Sequence, residues 1–258
     1  MNYFVEGLQG SGKSTLVNRL SERHPECMPI REGEYSPVEL AWCAWLKGSE
    51  YRDILEGFSS LRSQIEEKAY IEDDRVIVCY TKIITEDRAF YREMEKHEIY
   101  NGRISCDEFR QIILKRFGKW NGDNTIFECS LFQNIVEDLM LYRSASDEEI
   151  IGFYREIRKA LEGKEFRILY LNTRDIAGSL RVIREERTDD KGNELWFPMM
   201  LDYFDNCPAC KAQESSGEKA LTDHLAHRQE LELRICREVF PGRYTILGSK
   251  EYRDEDLI

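Results

Sequence analysis

A chain of 258 residues with 41% hydrophobic and 33% charged residues can bury a full core and is too apolar to be a disordered segment. Its net charge of -12 excludes a broad nucleic-acid or anionic-membrane surface, because either needs a positive field. With no bilayer-length apolar run, no signal-peptide pattern in residues 1–20 and eight scattered cysteines, a cytoplasmic protein is expected.

The first expected element is the apolar strand Tyr3–Glu6, which runs into Gly7-Leu8-Gln9-Gly10-Ser11-Gly12-Lys13-Ser14 and Thr15. This run matches G-x-x-x-x-G-K-S/T at every position. The glycines permit positive φ, so successive backbone N–H groups can converge on phosphate oxygens at the positive end of the following helix. Lys13 can reach the β- and γ-phosphates, and the Ser14 hydroxyl can ligate Mg2+. Residues Gly7 to Thr15 are therefore the expected binding residues for a nucleoside triphosphate. The helix Lys13–Arg23 follows, with Leu16, Val17 and Leu20 on one face.

Further along, Met28–Ile30 and Val76–Tyr80 read as buried strands, and the apolar stretch 38–46 ("VELAWCAWL") reads as helical. Trp42, Trp45, Tyr51 and Phe58 would face the acceptor side, where one can stack on a base, or fill the core. Ser105 with Glu108, and Ser146 with Glu149, open two helices as capping boxes, the second ending at Gly163. Thr125–Phe127, Arg167–Leu171 and Tyr244–Leu247 complete the strands. Glu128 stands at the carboxyl end of the first of these three. "NTRD" at 172–175 is compared with the guanine-reading motif of GTPases, but Asp175 reads better as the start of a helix.

On that helix Arg181, Arg184 and Arg187 recur at every third position and share one drifting face, a clamp suited to a transferring phosphoryl group. From Thr188 to Gly217 the sequence is polar and aperiodic, so a lid is expected at about 181–220. Cys207 and Cys210, followed by His224 and His227, form a candidate Zn2+ site that could staple this lid. Cys27, Cys43, Cys79, Cys106 and Cys236 read as packing residues. Strands alternating with helices give an α/β chain, three-layer with a mostly parallel sheet, as one domain over 1–258.

Four stretches resemble thymidylate kinases and deoxynucleoside kinases: "FVEGLQGSGKST", "IREGEYSPVE", "IFECSLFQN" and "YLNTRDIAGSLRVIREER". The resemblance implies a P-loop NTPase fold, ATP and Mg2+ as cofactors, and phosphoryl transfer to a nucleoside or nucleotide. It implies Glu32 as the general base, with Glu34 the second choice, and Arg31 as an acceptor or phosphate ligand. Glu128 would organise Mg2+ with Ser14 or take the base role itself. Lys13, Arg184 and Arg187 would serve catalysis, Arg181 would bind phosphate, and the assembly would be a homodimer. Two positions depart from the pattern. Cys129 stands where those kinases carry arginine, and a thiol cannot supply that charge. Ser36-Pro37-Val38 replaces the Glu-Pro-Val turn. A kinase of a non-nucleotide small molecule, or a nucleotide-sensing protein with slow hydrolysis and no acceptor, stays open beside this reading.

Overall fold

The computed structural model describes residues 1–188, 192–253 and 255. In chain order the elements are β1 (Asn2–Gly7), α1 (Lys13–Arg23), β2 (Met28–Ile30), β3 (Ala44–Lys47), α2 (Gly48–Gly57), α3 (Arg62–Glu67), β4 (Ala69–Glu72) and β5 (Arg75–Val78). They continue with α4 (Arg88–Glu95), α5 (Cys106–Lys119), β6 (Thr125–Glu128), α6 (Gln133–Leu141), α7 (Asp147–Ala160), β7 (Phe166–Asn172) and α8 (Ile176–Glu186). The last are α9 (Trp196–Asn206), α10 (Pro208–Ala212), α11 (Gly217–Val239) and β8 (Tyr244–Gly248). The chain divides into two compact units, 1–29 with 121–258, and 30–120.

The first unit is built on a five-stranded, all-parallel sheet in the order β2-β6-β1-β7-β8. All six residues of β1 are buried, which is why it reads as a continuous apolar run instead of an alternating one. Its two faces feed two cores. Tyr3 and Val5 pack with Leu16, Val17 and Leu20 of α1 and with Ile126 and Leu169 of the neighbouring strands. Phe4 points the other way, stacking on Phe127 at 4.9 Å and meeting the edge of Phe166 at 5.6 Å. The connection leaving β1 runs to β2 at one edge, whereas the chain leaving β6 passes to β7 on the far side of β1. Such a reversal opens a crevice at the carboxyl ends of β1 and β6, where ligands of open parallel sheets sit.

Helix starts follow their caps. Ser105 and Ser146 accept from Glu108 N and Glu149 N, and Glu149 completes the second capping box. Asp175 caps α8 by accepting from Gly178 N at 2.8 Å, in accord with the helical reading of "NTRD". The expected lid is more regular than its sequence suggested. Its described part holds α9 and α10, while residues 189–191 lie outside the described residues. Pro198 falls in the first turn of α9 and Pro208 at the start of α10, where a missing N–H costs nothing.

The second unit corrects two expectations. Val76–Tyr80 does not join the parallel sheet. Instead β5 is the centre of an antiparallel sheet, β3-β5-β4, with Trp45 opposite Ile77 and Tyr70 opposite Ile77 on the other side. The stretch 38–46 is not helical, for its end forms β3, whose residues alternate in burial along Ala44–Lys47. Ala44, Leu46, Val78, Ile54, Ile65 and Phe90 form the core of this unit. Tyr51 and Phe58 pack against it and Trp45 is half-buried beside Arg75 and Arg116, which leaves Trp42 as the exposed ring of the four. Among the described residues no helix is long and apolar enough to cross a membrane.

Candidate functional site

The turn between β1 and α1 is shaped by what its glycines exclude. Gly7 has φ 141°, and a Cβ there would lie 2.7 Å from the Leu171 carbonyl oxygen and 2.9 Å from Ser11 Oγ. Gly10 has φ 74°, and its Cβ would meet Ile183 Cδ1 at 2.1 Å. The backbone is thus pressed against β7 on one side and α8 on the other, in a conformation that L side chains avoid. Lys13 is buried and donates to the carbonyls of Gly7 and Leu8 at 2.9 and 2.8 Å, folding its ammonium back over the turn. Ser11 Oγ is fully buried and hydrogen-bonds to no protein atom among the described residues. A buried hydroxyl without a partner is costly, and one in a glycine-rich turn beside a buried lysine suits an anion.

The crevice brings together two residues that are far apart in sequence. Ser14 Oγ donates to Glu128 Oε1 at 2.5 Å, so the first turn of α1 and the end of β6 share one polar contact. A hydroxyl and a carboxylate side by side form a hard oxygen donor pair of the kind that Mg2+ takes alongside phosphate and water. After Glu128 the chain turns sharply. Cys129 adopts φ 60°, donates its N–H to the Val5 carbonyl and directs Sγ to Gln133 Oε1 at 3.6 Å.

The three arginines of α8 are not alike. Leu180 and Ile183 turn inward with Leu8 of the glycine-rich turn, so the helix sits directly on that turn. Arg184 donates to Glu194 and to Glu218, each at 3.0 Å, and lies over the Phe197 ring at 4.3 Å. Arg187 lies over Trp196 at 4.7 Å. Both therefore tie α8 to α9, and Arg184 reaches α11 as well. Arg181 is exposed and approaches Asp175 at 4.0 Å.

The residues expected on the acceptor side lie in the second unit. Glu32 Oε1 accepts the indole N–H of Trp42 at 3.0 Å. Glu34 is turned back on its own loop, accepting from Arg31 N at 2.8 Å, which gives it a turn-forming role. The zinc quartet is not assembled. Cys207 caps α10 by accepting from Cys210 N, while His224 contacts Glu137 and His227 contacts Asp147, each at 3.0 Å. Among the described residues no group of three or more His, Cys, Asp or Glu is placed to hold a metal. Burial pushes the Cys210 thiol up to about 12, with the neighbouring Cys207 adding to the effect.

One feature of the site was missed from the sequence. Arg228 of α11, fully buried, donates to Glu137 Oε2 at 2.8 Å and to Gln9 Oε1 of the turn at 2.9 Å, and its Nε lies 3.3 Å from Glu232. Tyr170 donates to Glu232 at 2.6 Å, and Glu6 accepts from Leu131 N at 2.7 Å and Gln133 N at 3.3 Å. Burial works against the Glu137 carboxylate, but Arg228 and then His224 outweigh it and hold the group at about 2. Burial raises Glu6 to about 7 and raises Glu232 too, each partly offset by its hydrogen bonds and neighbouring cations. A signal was present. Arg228 and Glu232 occupy the apolar stripe of α11 set out by Leu221, Leu225, Ile235 and Val239, where charged side chains need a built partner.

The chain matches no protein-family model and no curated protein.

Proposed function

We propose that this chain is an ATP- and Mg2+-dependent phosphotransferase of the P-loop class, acting on a nucleoside or nucleotide in the cytoplasm. The observation that carries the reading is the Ser14–Glu128 contact in the crevice beside Lys13. The residues present fit the triphosphate and its metal: a glycine turn too tight for a Cβ, an unpartnered buried hydroxyl on Ser11, and an oxygen donor pair. Bound Mg2+ would supply charge neutralisation for the transferred group.

The protein's own part is positional. Backbone N–H groups of residues 8–14 would bind phosphate oxygens, and Lys13 would exchange its carbonyl partners for them. Ser14 and Glu128 would hold the metal. Arg228, through Gln9, would keep the turn in register with α6 and α11. Arg181 is suited to swing onto phosphate, because its approach to Asp175 is long and exposed. Glu32 would orient or deprotonate the acceptor.

A second reading is favoured by Cys129. A thiol bonded to Gln133 replaces the arginine of the kinases that the sequence resembles, which suits a protein that binds and slowly hydrolyses nucleotide without an acceptor. ADP release, followed with ATP–Mg2+ and a panel of nucleosides, nucleoside monophosphates and simple alcohol acceptors, separates the two. Stimulation by a nucleoside or monophosphate supports the first reading. Tight ATP binding with no stimulation by any acceptor would sink it and leave the second.

A further inference from the structure

In the second unit, two thiols that read as packing residues lie in contact. Cys43 Sγ donates to Cys79 Sγ at 3.6 Å, and both residues are buried. Their place in the sheet makes the contact more than a coincidence of packing. The β3–β5 register pairs Ala44 with Val78 and Trp45 with Ile77, so Cys43 and Cys79 form the next cross-strand step. Trp45 N donates away from β5, to the His97 carbonyl, and Cys79 N donates away from β3, to the Lys68 carbonyl. Opposed residues alternate between hydrogen-bonded and non-hydrogen-bonded pairs, so Cys43 and Cys79 take the non-hydrogen-bonded position, where Cα atoms approach to about 4.5 Å. That spacing is inside the range that a disulfide spans.

We propose that Cys43 and Cys79 are a redox modification site, at which a hydroperoxide drives formation of a cross-strand disulfide between the end of β5 and the start of β3. The pair is asymmetric in the sense this chemistry needs. The S–H of Cys43 points at Cys79 Sγ and holds the Cys79 thiol below its usual range, with Lys82 adding to the effect against burial. Hydrogen bonding to Cys79, burial and proximity keep Cys43 protonated.

The Cys79 thiolate, its proton released, attacks one peroxide oxygen. The S–O bond forms as the O–O bond breaks, giving a sulfenic acid and a hydroxide that leaves as water. The Cys43 sulfur then attacks Cys79 Sγ, the S–S bond forms as the S–O bond breaks, and the second oxygen leaves as water with the Cys43 proton. Two thiols and one hydrogen peroxide give one disulfide and two waters, with the two electrons passing from sulfur to peroxide.

The consequence is local to a loop that matters. Cys79 leads into the helical turn Tyr80–Lys82, and Thr81 and Lys82 lie against Gly33, where a Cβ would meet Thr81 Oγ1 at 2.9 Å. Gly33 sits between Glu32 and Glu34. The disulfide would therefore clamp the 31–43 segment from both ends.

The test uses the full chain, reduced, exposed to hydrogen peroxide, alkylated and mapped by mass spectrometry without reduction. The expected product is a peptide pair joined through Cys43 and Cys79, lighter by two hydrogens and released by dithiothreitol. Amide exchange in 31–43 should slow in the same sample. In Cys43→Ala no disulfide should form at Cys79, and dimedone added together with denaturant after the peroxide should trap Cys79 as its sulfenic acid. Cys43 and Cys79 both recovered as alkylated thiols while the exposed Cys106 has oxidised would overturn the proposal, as would Cys79 joined to any other cysteine. Both decisive readings come from the unmutated protein, and neither depends on its being a kinase.

Discussion

Removing Arg228 tests whether the charged cluster beneath the glycine-rich turn is an integrated device or a set of chance contacts. In Arg228→Ala, Glu137 and Glu232 lose their buried cation, and Gln9 loses its donor. Breaking a buried pair on one side costs about 3–5 kcal/mol. The Glu137 carboxyl, at about 2 instead of 4.5, carries a displacement of about 3 kcal/mol at roughly 1.4 kcal/mol for each pH unit, which Arg228 and His224 produce together against burial. For a chain of this size 1 kcal/mol moves the midpoint by about 2–4 °C, so a fall of roughly 10 °C is expected near pH 7. The sign of the pH dependence follows. A carboxyl with a depressed folded pKa stabilises fully above its unfolded value and loses that contribution as pH falls toward about 2. The gap between wild type and Arg228→Ala should therefore be full at neutral pH and narrow below about pH 4.5. Urea melts of both proteins across that range are the assay, with Glu137→Gln and Glu137→Gln/Arg228→Ala completing a double-mutant cycle. A loss under about 1 kcal/mol at pH 7, or a gap that widens in acid, would refute the reasoning.

Lys13→Ala should abolish triphosphate binding by calorimetry, because the one cation inside the turn is removed; retained affinity would count against the site. Glu128→Gln should keep nucleotide affinity measured without metal but weaken the response to Mg2+ by about 10–100-fold, read by titrating the ion at fixed ATP. Glu6 titrates oppositely to Glu137. Its folded pKa is raised to about 7, so between about 4.5 and 7 the folded state holds a proton that the unfolded state lacks, and stability falls as pH rises through that window. Glu6→Gln should reduce this slope in denaturant melts, the remainder coming from Glu39 and Glu98, which burial raises to about 8 and about 7; an unchanged slope would assign it to those two.

Local rules carried much of the first unit. Lys13–Arg23 is helical where the apolar spacing put it, and Ser146 with Glu149 forms the capping box it spells. Ser14 and Glu128 meet because a turn and a strand end were each recognisable alone, and parallel strand order brings such ends to one edge. The misses share a cause: the deciding partner was remote in sequence. "VELAWCAWL" has no period of its own, and its end became β3 because β5 supplied an antiparallel neighbour. Val76 and Ile77 are apolar enough for a buried parallel strand, and nothing local separates that from the centre of a small antiparallel sheet. In the expected lid, Phe197, Leu201 and Phe204 keep a helical spacing that Pro198 masks. The arginines of α8 were legible as a stripe, but not that Glu194, Glu218 and two aromatic rings would engage Arg184 and Arg187.

The contact between Ile183 and Gly10 makes positions 10 and 183 a single steric unit. Neither can grow unless the other shrinks, since a methyl group at 10 would land 2.1 Å from the tip of Ile183. Ile183→Ala would clear that space, but φ 74° at position 10 would still strain any L side chain placed there, so glycine is held by two constraints at once. The same contact makes α8 a reporter of the turn, so a probe on the exposed Val182 would read what the turn holds without touching it.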